Sequence, residues 1–326
     1  MSAPGDVLEA LAAELSAGLE VRRDEPLGPR TTYRVGGAAS LWVEADDEDA
    51  LRAVHRALVA VAAPVALLVV GKGSNMLVSD AGFAGLALGL GTGFAGIEID
   101  GTTVRAGGAA AYPVVARTTA AAGLRGLEWA VGVPGSVGGA LRMNAGGHGA
   151  ETADVLDRFR RFDLSAGTVA ELPAAALQPG YRRSALGPAD VVEWAEFALK
   201  PGSAAEAKAA VAEVVRWRRA NQPGGSNAGS VFTNPPAAPA GRLVEEAGCK
   251  GLRLGSAQVS PKHANFIQAD DGGSADDVRR LIDHVRAVVA ERTGIELVPE
   301  LRMVGFPDSP TPTVVGEPSA SSGGRE

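Results

Sequence analysis

Positions 226–236 read SNAGSVFTNPP and set one serine, Ser230, between Gly229 and Val231. A serine nucleophile needs a base within hydrogen-bond reach, yet no histidine or carboxylate stands near it in sequence. Taken alone, such a serine reads best as a turn hydroxyl bonding its own backbone. A second signal is GKGSN, the five residues Gly71, Lys72, Gly73, Ser74 and Asn75, which follows the apolar run VALLVV. Glycines there free the backbone for left-handed conformations, and successive N–H groups can form a concave anion site suited to a pyrophosphate. The strand-like MLVSD that follows excludes a Rossmann fingerprint, which needs a helix there, and no Gly-Lys-Ser/Thr closes a Walker loop. A plain tight turn is the other reading. A third signal is GVPGSVGGALRMNAGGHG, from Gly132 to Gly149. The passage interleaves Val133, Pro134, Val137, Leu141 and Met143, which a solvated linker would lack. It reads as a rigid loop lying against a large ligand.

The bulk properties limit what such loops can serve. Of 326 residues, 46% are apolar and 21% charged, with a net charge of −7, an ordinary globular balance. That charge argues against a general nucleic-acid or membrane-surface binder. An anionic ligand must then be held by individual arginines or backbone N–H groups. Cys249 is the only cysteine, so no intrachain disulfide or cysteine metal cluster is expected, and no metal is assigned. The N-terminus lacks a basic n-region, and LVAVAAPVALLVVG is interrupted by Pro64 and too short to span a bilayer. A cytoplasmic chain without membrane insertion is the expectation.

The elements that must position these residues follow from periodicity. SLWVEA, then DDEDALRAVHRALVAV, then PVALLVV reads as strand, helix, strand. GIEIDGTTVRAGG alternates on both sides of Asp100-Gly101, a dipeptide for a tight hairpin. A helix over AAYPVVARTTAAAG, strands RFRRFDL and VVEWAEFAL, and a helix over AAEAKAAVAEVVRWRRA come next. NQPGGSNAG breaks that helix and marks a domain boundary. Beyond it lie a helix at GRLVEEAG, strands SAQV and ANFIQA, a helix over SADDVRRLIDHVRAVVAERTG and a final strand ELVPELRMV. The tail PDSPTPTVVGEPSASSGGRE has a disordered composition.

In order, GKGSN, GLEWAVGVPGSVGGALRMNAGGHGAE, YRRS, NAGSVFTNP, GSAQVSPKHANFI and ELVPELR resemble the UDP-N-acetylenolpyruvoylglucosamine reductase (MurB) family. The likeness runs from about Thr31 to about Val304. It implies an α+β chain: a PCMH/VAO-type two-part FAD-binding fold plus a smaller α+β substrate-binding domain. The division expected is an N-terminal helix over 1–20, FAD-binding subdomains over 21–83 and 84–219, and a return strand at 295–305 joined to the second. The substrate-binding domain then spans 220–294 and a disordered tail 306–326. The activity implied is reduction of UDP-GlcNAc-enolpyruvate to UDP-N-acetylmuramate in peptidoglycan synthesis, with non-covalent FAD and NADPH as co-substrate, by a chain expected to be monomeric.

The resemblance also carries roles. Ser230 would protonate an enolate stabilised by Arg182 and Glu300. Cofactor contacts would come from Gly71, Lys72, Gly73, Ser74, Asn75, Gly132, Pro134, Gly135, Ser136, Gly139, Asn144 and Gly146. Substrate contacts would come from Tyr181, Asn234, Lys262 and His263, the last with plain packing as its alternative. Proton donation to so strong a base needs position more than acidity, so no partner histidine is required. A structural ion pair of Glu300 with Arg302 is the competing reading, and Arg183 has no assigned role. His148 stands where the family often has tyrosine, and His55 and His284 read as surface helix residues. Thr233 replaces a lysine common in the family, whose cationic contact would then come from Lys262 or Arg242. The interval from Arg182 to Ser230 is too short for the longer subtype's extra loop, which implies the shorter subtype and a more open cleft. A sugar or lactone oxidase of the same fold is the rival enzyme, although no histidine for flavin attachment lies near GKGSN. A nucleotide-sugar binding protein with vestigial flavin is the rival from another class.

Overall fold

The strand Ala38–Ala45 sends Leu41, Val43 and Ala45 into one apolar cluster and Ala39 and Trp42 into another. A strand buried on both faces belongs inside a sheet with parallel neighbours. In the computed structural model, which describes residues 4–309, 311 and 313–316, that sheet is ordered Arg22–Pro26, Ala38–Ala45, Phe83–Leu90, Val65–Val70, Thr313–Val314. The pairs made by Phe83–Leu90 are parallel, and the edge pairs are antiparallel. Helix Glu48–Val61 starts where the Asp47 carboxylate accepts from Ala50 N, 2.8 Å away, so one orphan donor of its first turn is satisfied. It packs Leu51, Val54 and Leu58 with Leu11 and Leu15 of helix Pro4–Ser16.

A second sheet is antiparallel throughout, in the order Thr168–Pro173, Leu156–Asp163, Asp190–Ala198, Thr103–Gly107, Ile97–Asp100. Tyr112 and Val115 of helix Tyr112–Ala121 cover it, packed with Phe159, Ala195 and Phe197. Helix Ala204–Asn221 lies outside that layer, and only Ala207 of it is fully buried. The third unit sets the small sheet Arg253–Leu254, Ala257–Val259, Ile267–Ala269 against helices Ala240–Glu246 and Ala275–Thr293. The long helix owes its place to Val278, Leu281, Ile282, Val285 and Val289, one buried stripe at helical spacing. Ser274 caps its start, and Gly294, at φ +69°, ends it.

Several expectations shift. Phe83–Leu90 and Thr168–Pro173 are strands that periodicity did not indicate. Within ELVPELRMV only Arg302–Val304 is extended, and it pairs in parallel with Met76–Val78. The return strand therefore joins the 21–83 segment and not the 84–219 segment. Phe306 packs in the third core and Val314 in the first, so order continues into the segment expected as tail. Residues 317–326 lie outside the described residues. Helix Ala204–Asn221 also runs through the expected boundary at 219/220.

Candidate active site

The two glycine loops interlock. Ser74 Oγ donates to the Pro134 carbonyl at 2.9 Å. A Cβ on Gly71 would stand 2.5 Å from Ser136 Oγ, and one on Gly135 would stand 2.8 Å from Ser74 Oγ. Gly73 has φ +58°, and a Cβ there would lie 2.4 Å from the Arg30 carbonyl, so only glycine fits. Among the described residues, none of the N–H groups from Gly71 to Asn75 donates to a protein acceptor. The loops close one wall of an open cleft of about 1220 Å³, solvent space included. Gly71, Lys72, Gly73, Ser74, Asn75, Gly132, Pro134, Gly135, Ser136, Gly139 and Gly146 line it, together with Arg182, Ser230 and Glu300.

The last three arrive from distant parts of the chain. Gly180 and Arg183 exchange both backbone hydrogen bonds, at 3.0 and 3.1 Å, with Tyr181 and Arg182 at the tip of the turn. Arg182 sits there at φ +55°, a left-handed conformation that costs an arginine on the order of 1 kcal/mol. Its fork donates from Nε to Glu300 Oε1 at 2.8 Å and from Nη2 to the Gly146 carbonyl at 3.0 Å. Nη1 has no protein partner among the described residues. Glu300 is fixed by its main chain: its N–H donates to Val231 O at 2.8 Å, and its carbonyl accepts from Asn75 Nδ2 at 3.1 Å. Burial raises the Glu300 carboxyl above its ordinary range, outweighing the Arg182 charge and hydrogen bond that pull it down. Its ion-pair partner is Arg182 and not Arg302.

Ser230 lies on the segment that Asn265 clamps. Val231 N donates to Asn265 O at 2.8 Å, Phe232 N to Asn265 Oδ1 at 2.9 Å, and Asn265 Nδ2 to Phe232 O at 2.9 Å. Gly229, at φ +79°, supplies the bend before it. The Ser230 hydroxyl is half-buried and makes no hydrogen bond to the protein among the described residues. A turn serine bonding its own backbone is therefore not what the structure holds.

Other expected residues fall elsewhere. Asn144 is fully buried at φ +38°, with its side chain spent on Gly180 O at 3.3 Å and Ala153 N at 3.1 Å. It braces the Arg182 turn from behind and does not line the cleft. Asn234 is exposed, and its Oδ1 accepts from Ala240 N at 2.9 Å. Tyr181 is exposed beside the Arg182 guanidinium, 5.1 Å from ring centroid to Cζ. His263 packs edge-on against Phe266 at 4.8 Å, and Phe266 reaches the cleft wall. Lys262 lines a neighbouring recess. Arg242 is exposed and paired with Glu246 at 2.7 Å. His148 packs edge-on against Trp217 at 4.9 Å. His55 is buried, not on the surface, with Nδ1 3.0 Å from the Leu164 carbonyl, while His284 is exposed.

The sequence reading missed Arg142, Arg302 and Arg218, all of which line the cleft. Arg142 and Arg302 also line its inner continuation between the first two sheets, with Gly71, Lys72, Ser136 and Gly139. Neither guanidinium has a hydrogen-bonding or ion-pair partner among the described residues. Burial, then the Arg302 charge, pushes Arg142 below its ordinary value, against the pull of Asp190. Two unpaired cations beside a run of free N–H groups suit a large anionic ligand with a diphosphate, as FAD is. The residues present therefore fit that cofactor.

Comparison with known proteins places these features. Residues 39–172 match the model of an FAD binding domain, and residues 221–304 match the C-terminal domain of UDP-N-acetylenolpyruvoylglucosamine reductase. A UDP-N-acetylenolpyruvoylglucosamine reductase from Acidiphilium cryptum is 44% identical, over 87% of this chain and 91% of the relative. One from Anaeromyxobacter dehalogenans is 42% identical over 93% of each. The crystal structure of the enzyme from Thermus caldophilus superposes with a TM-score of 0.76 at 34% identity, covering 88% of this chain and all of that one. The chain therefore belongs to the UDP-N-acetylenolpyruvoylglucosamine reductase family of flavin-dependent oxidoreductases.

Proposed function

We propose that the protein reduces UDP-GlcNAc-enolpyruvate to UDP-N-acetylmuramate for peptidoglycan synthesis in the cytoplasm, with NADPH as reductant and FAD as carrier. Gly71 to Asn75, the 132–139 loop, Arg142 and Arg302 would hold the flavin, which supplies a hydride when bound. The substrate's double bond is a vinyl ether whose terminal carbon is electron-rich. It accepts hydride only if negative charge can flow into the adjacent carboxylate. Arg182 answers that demand with Nη1, the arm of its fork left open by Glu300 and Gly146. Glu300, its carboxyl raised by burial, can hold a proton and donate it toward the same carboxylate.

The α-carbon must then be protonated. Ser230 Oγ gives up its proton to that carbon and regains one from water at the open cleft. The observation that carries this reading is the convergence of a free, half-buried Ser230 hydroxyl with the Arg182–Glu300 pair on one cleft wall. A coupled assay with UDP-GlcNAc-enolpyruvate and NADPH, run beside an absorbance scan for flavin, tests it. Substrate-dependent NADPH oxidation without peroxide supports the reductase. Peroxide formation or a colourless protein that FAD cannot reconstitute refutes it.

A further inference from the structure

The turn that carries Arg182 hangs on the stretch that ends helix Val137–Arg142 and runs on to Gly146. Arg142 O accepts from Ser184 Oγ at 2.9 Å, Asn144 Nδ2 donates to Gly180 O at 3.3 Å, and Gly146 O accepts from Arg182 Nη2 at 3.0 Å. Alternate residues of one segment thus hold the far end of the turn, its root and its guanidinium. The contact at the root comes from a side chain, and that side chain is fully buried. Its amide has one orientation, because Oδ1 accepts from Ala153 N at 3.1 Å and leaves Nδ2 facing Gly180 O. Gly180 O also accepts from Arg183 N at 3.1 Å, so both of its lone pairs are engaged. Asn144 takes φ +38°, a conformation that asparagine tolerates and glycine adopts freely. Arg182, at φ +55°, is held in a strained state that persists only while its surroundings fix it.

We propose that Asn144 is a positioning residue for the reaction: through the root of the turn it sets the aim of the free Arg182 Nη1, with Ser184 as a second anchor. Nε and Nη2 of Arg182 are fixed by Glu300 and Gly146, so the direction of the third arm follows from where the turn stands. Releasing Gly180 lets the turn relax and swings that arm, and a misplacement on the order of 1 Å at a reacting group costs about 10²-fold in rate. A direct cofactor contact does not account for Asn144, whose amide is spent on Gly180 and Ala153 outside the cleft. The assignment rests on the proposed function, in which Nη1 meets the substrate carboxylate.

The test uses FAD-loaded Asn144→Gly, which strips the amide and suits the left-handed backbone, with the milder Ser184→Ala should the first variant fail to fold. FAD affinity and flavin bleaching by NADPH are expected within about twofold of wild type, while reoxidation by UDP-GlcNAc-enolpyruvate slows by about 10- to 100-fold in Asn144→Gly and about threefold or more in Ser184→Ala. Combined with Arg182→Lys, Asn144→Gly should add little further loss, because both act on one group; losses that multiply would overturn the proposal. A second reading needs no turnover. The Arg182 Nε–H resonance, identified by its absence from the nitrogen-15 spectrum of Arg182→Lys, should shift or broaden in Asn144→Gly. A resonance left in place, or reoxidation within about twofold of wild type, would overturn the positioning role, as would a loss confined to FAD affinity. If wild type itself does not turn over, the proposed function fails, and the resonance still decides whether Asn144 holds Arg182.

Discussion

Ser230→Ala separates chemistry from structure unusually well. The hydroxyl bonds to nothing in the protein among the described residues, so its removal leaves no orphaned donor or acceptor. The segment's anchors are Gly229 N on Asn227 Oδ1 at 3.0 Å and Val231 N on Asn265 O at 2.8 Å. Both use main-chain donors and survive the truncation. Stability should then change by no more than about 0.5 kcal/mol, a melting shift of about 2 °C or less. Loss of a positioned proton donor, by contrast, costs about 10²- to 10⁴-fold in turnover, or about 3 to 5 kcal/mol of barrier. Stopped-flow absorbance reads the halves separately: NADPH should bleach the flavin at the wild-type rate, while reoxidation by the enolpyruvyl substrate stalls. If bleaching slows and reoxidation survives, the proton-donor assignment is wrong. A stability loss well beyond that bound would show that the hydroxyl has a structural partner.

Three further outcomes follow from the same geometry. Arg182→Lys leaves one ammonium to span contacts at 2.8 Å to Glu300 and 3.0 Å to Gly146; losing one charge-assisted bond should lower kcat/KM by about 10- to 100-fold, and steady-state assays check it. Because the folded pKa of Glu300 lies above the ordinary 4.5, its contribution to stability is full below that value and lost as pH rises through the folded one. The stability of wild type relative to Glu300→Gln should therefore fall with rising pH and then level off, and a difference that stays flat in urea midpoints would refute it. Asn265→Ala strips both partners from the buried Phe232 backbone and should destabilise by about 2 to 4 kcal/mol in urea unfolding.

What could be read beforehand was mostly local. The glycine loops announce themselves because Gly73 must take a left-handed turn against Arg30, a demand written in residue type. The long C-terminal helix shows its stripe from Val278 to Val289 for the same reason. Phe83–Leu90 stayed hidden because FAGLALGL carries two glycines inside a central strand. Each is needed by a neighbour: a Cβ on Gly85 would meet the Ala66 carbonyl at 2.4 Å, and one on Gly89 would meet the Trp42 ring at 2.5 Å. Arg142 and Arg302 look like ordinary helix and strand arginines in sequence. Their convergence depends on Arg302–Val304 lying parallel to Met76–Val78, a pairing between segments more than two hundred residues apart. Asn144 and Asn234 carry side chains that suit a ligand, yet nearby backbone groups take them up. Composition cannot tell those two fates apart.

The placement of the unsatisfied groups has its own logic. A strained Arg182, a buried Glu300 and the unpaired Arg142 and Arg302 each oppose folding, on the order of 1 to 3 kcal/mol apiece. Within a single core such groups would compete directly with its packing. Here they lie at the seam where the units meet, and the apolar clusters remain closed without them. The seam therefore needs fastenings of its own. Asp80, from the first unit, reaches across to accept from Ser274 Oγ at 2.5 Å and Ala275 N at 2.9 Å, capping the long helix of the third. Asn75 holds Glu300 through its carbonyl at 3.1 Å, so the loop that offers its free N–H groups also sets the carboxyl that faces Arg182. The loop proposed to hold the flavin and the proposed catalytic pair are thereby coupled through a main-chain contact, and a ligand that orders Gly71 to Asn75 would order Glu300 as well.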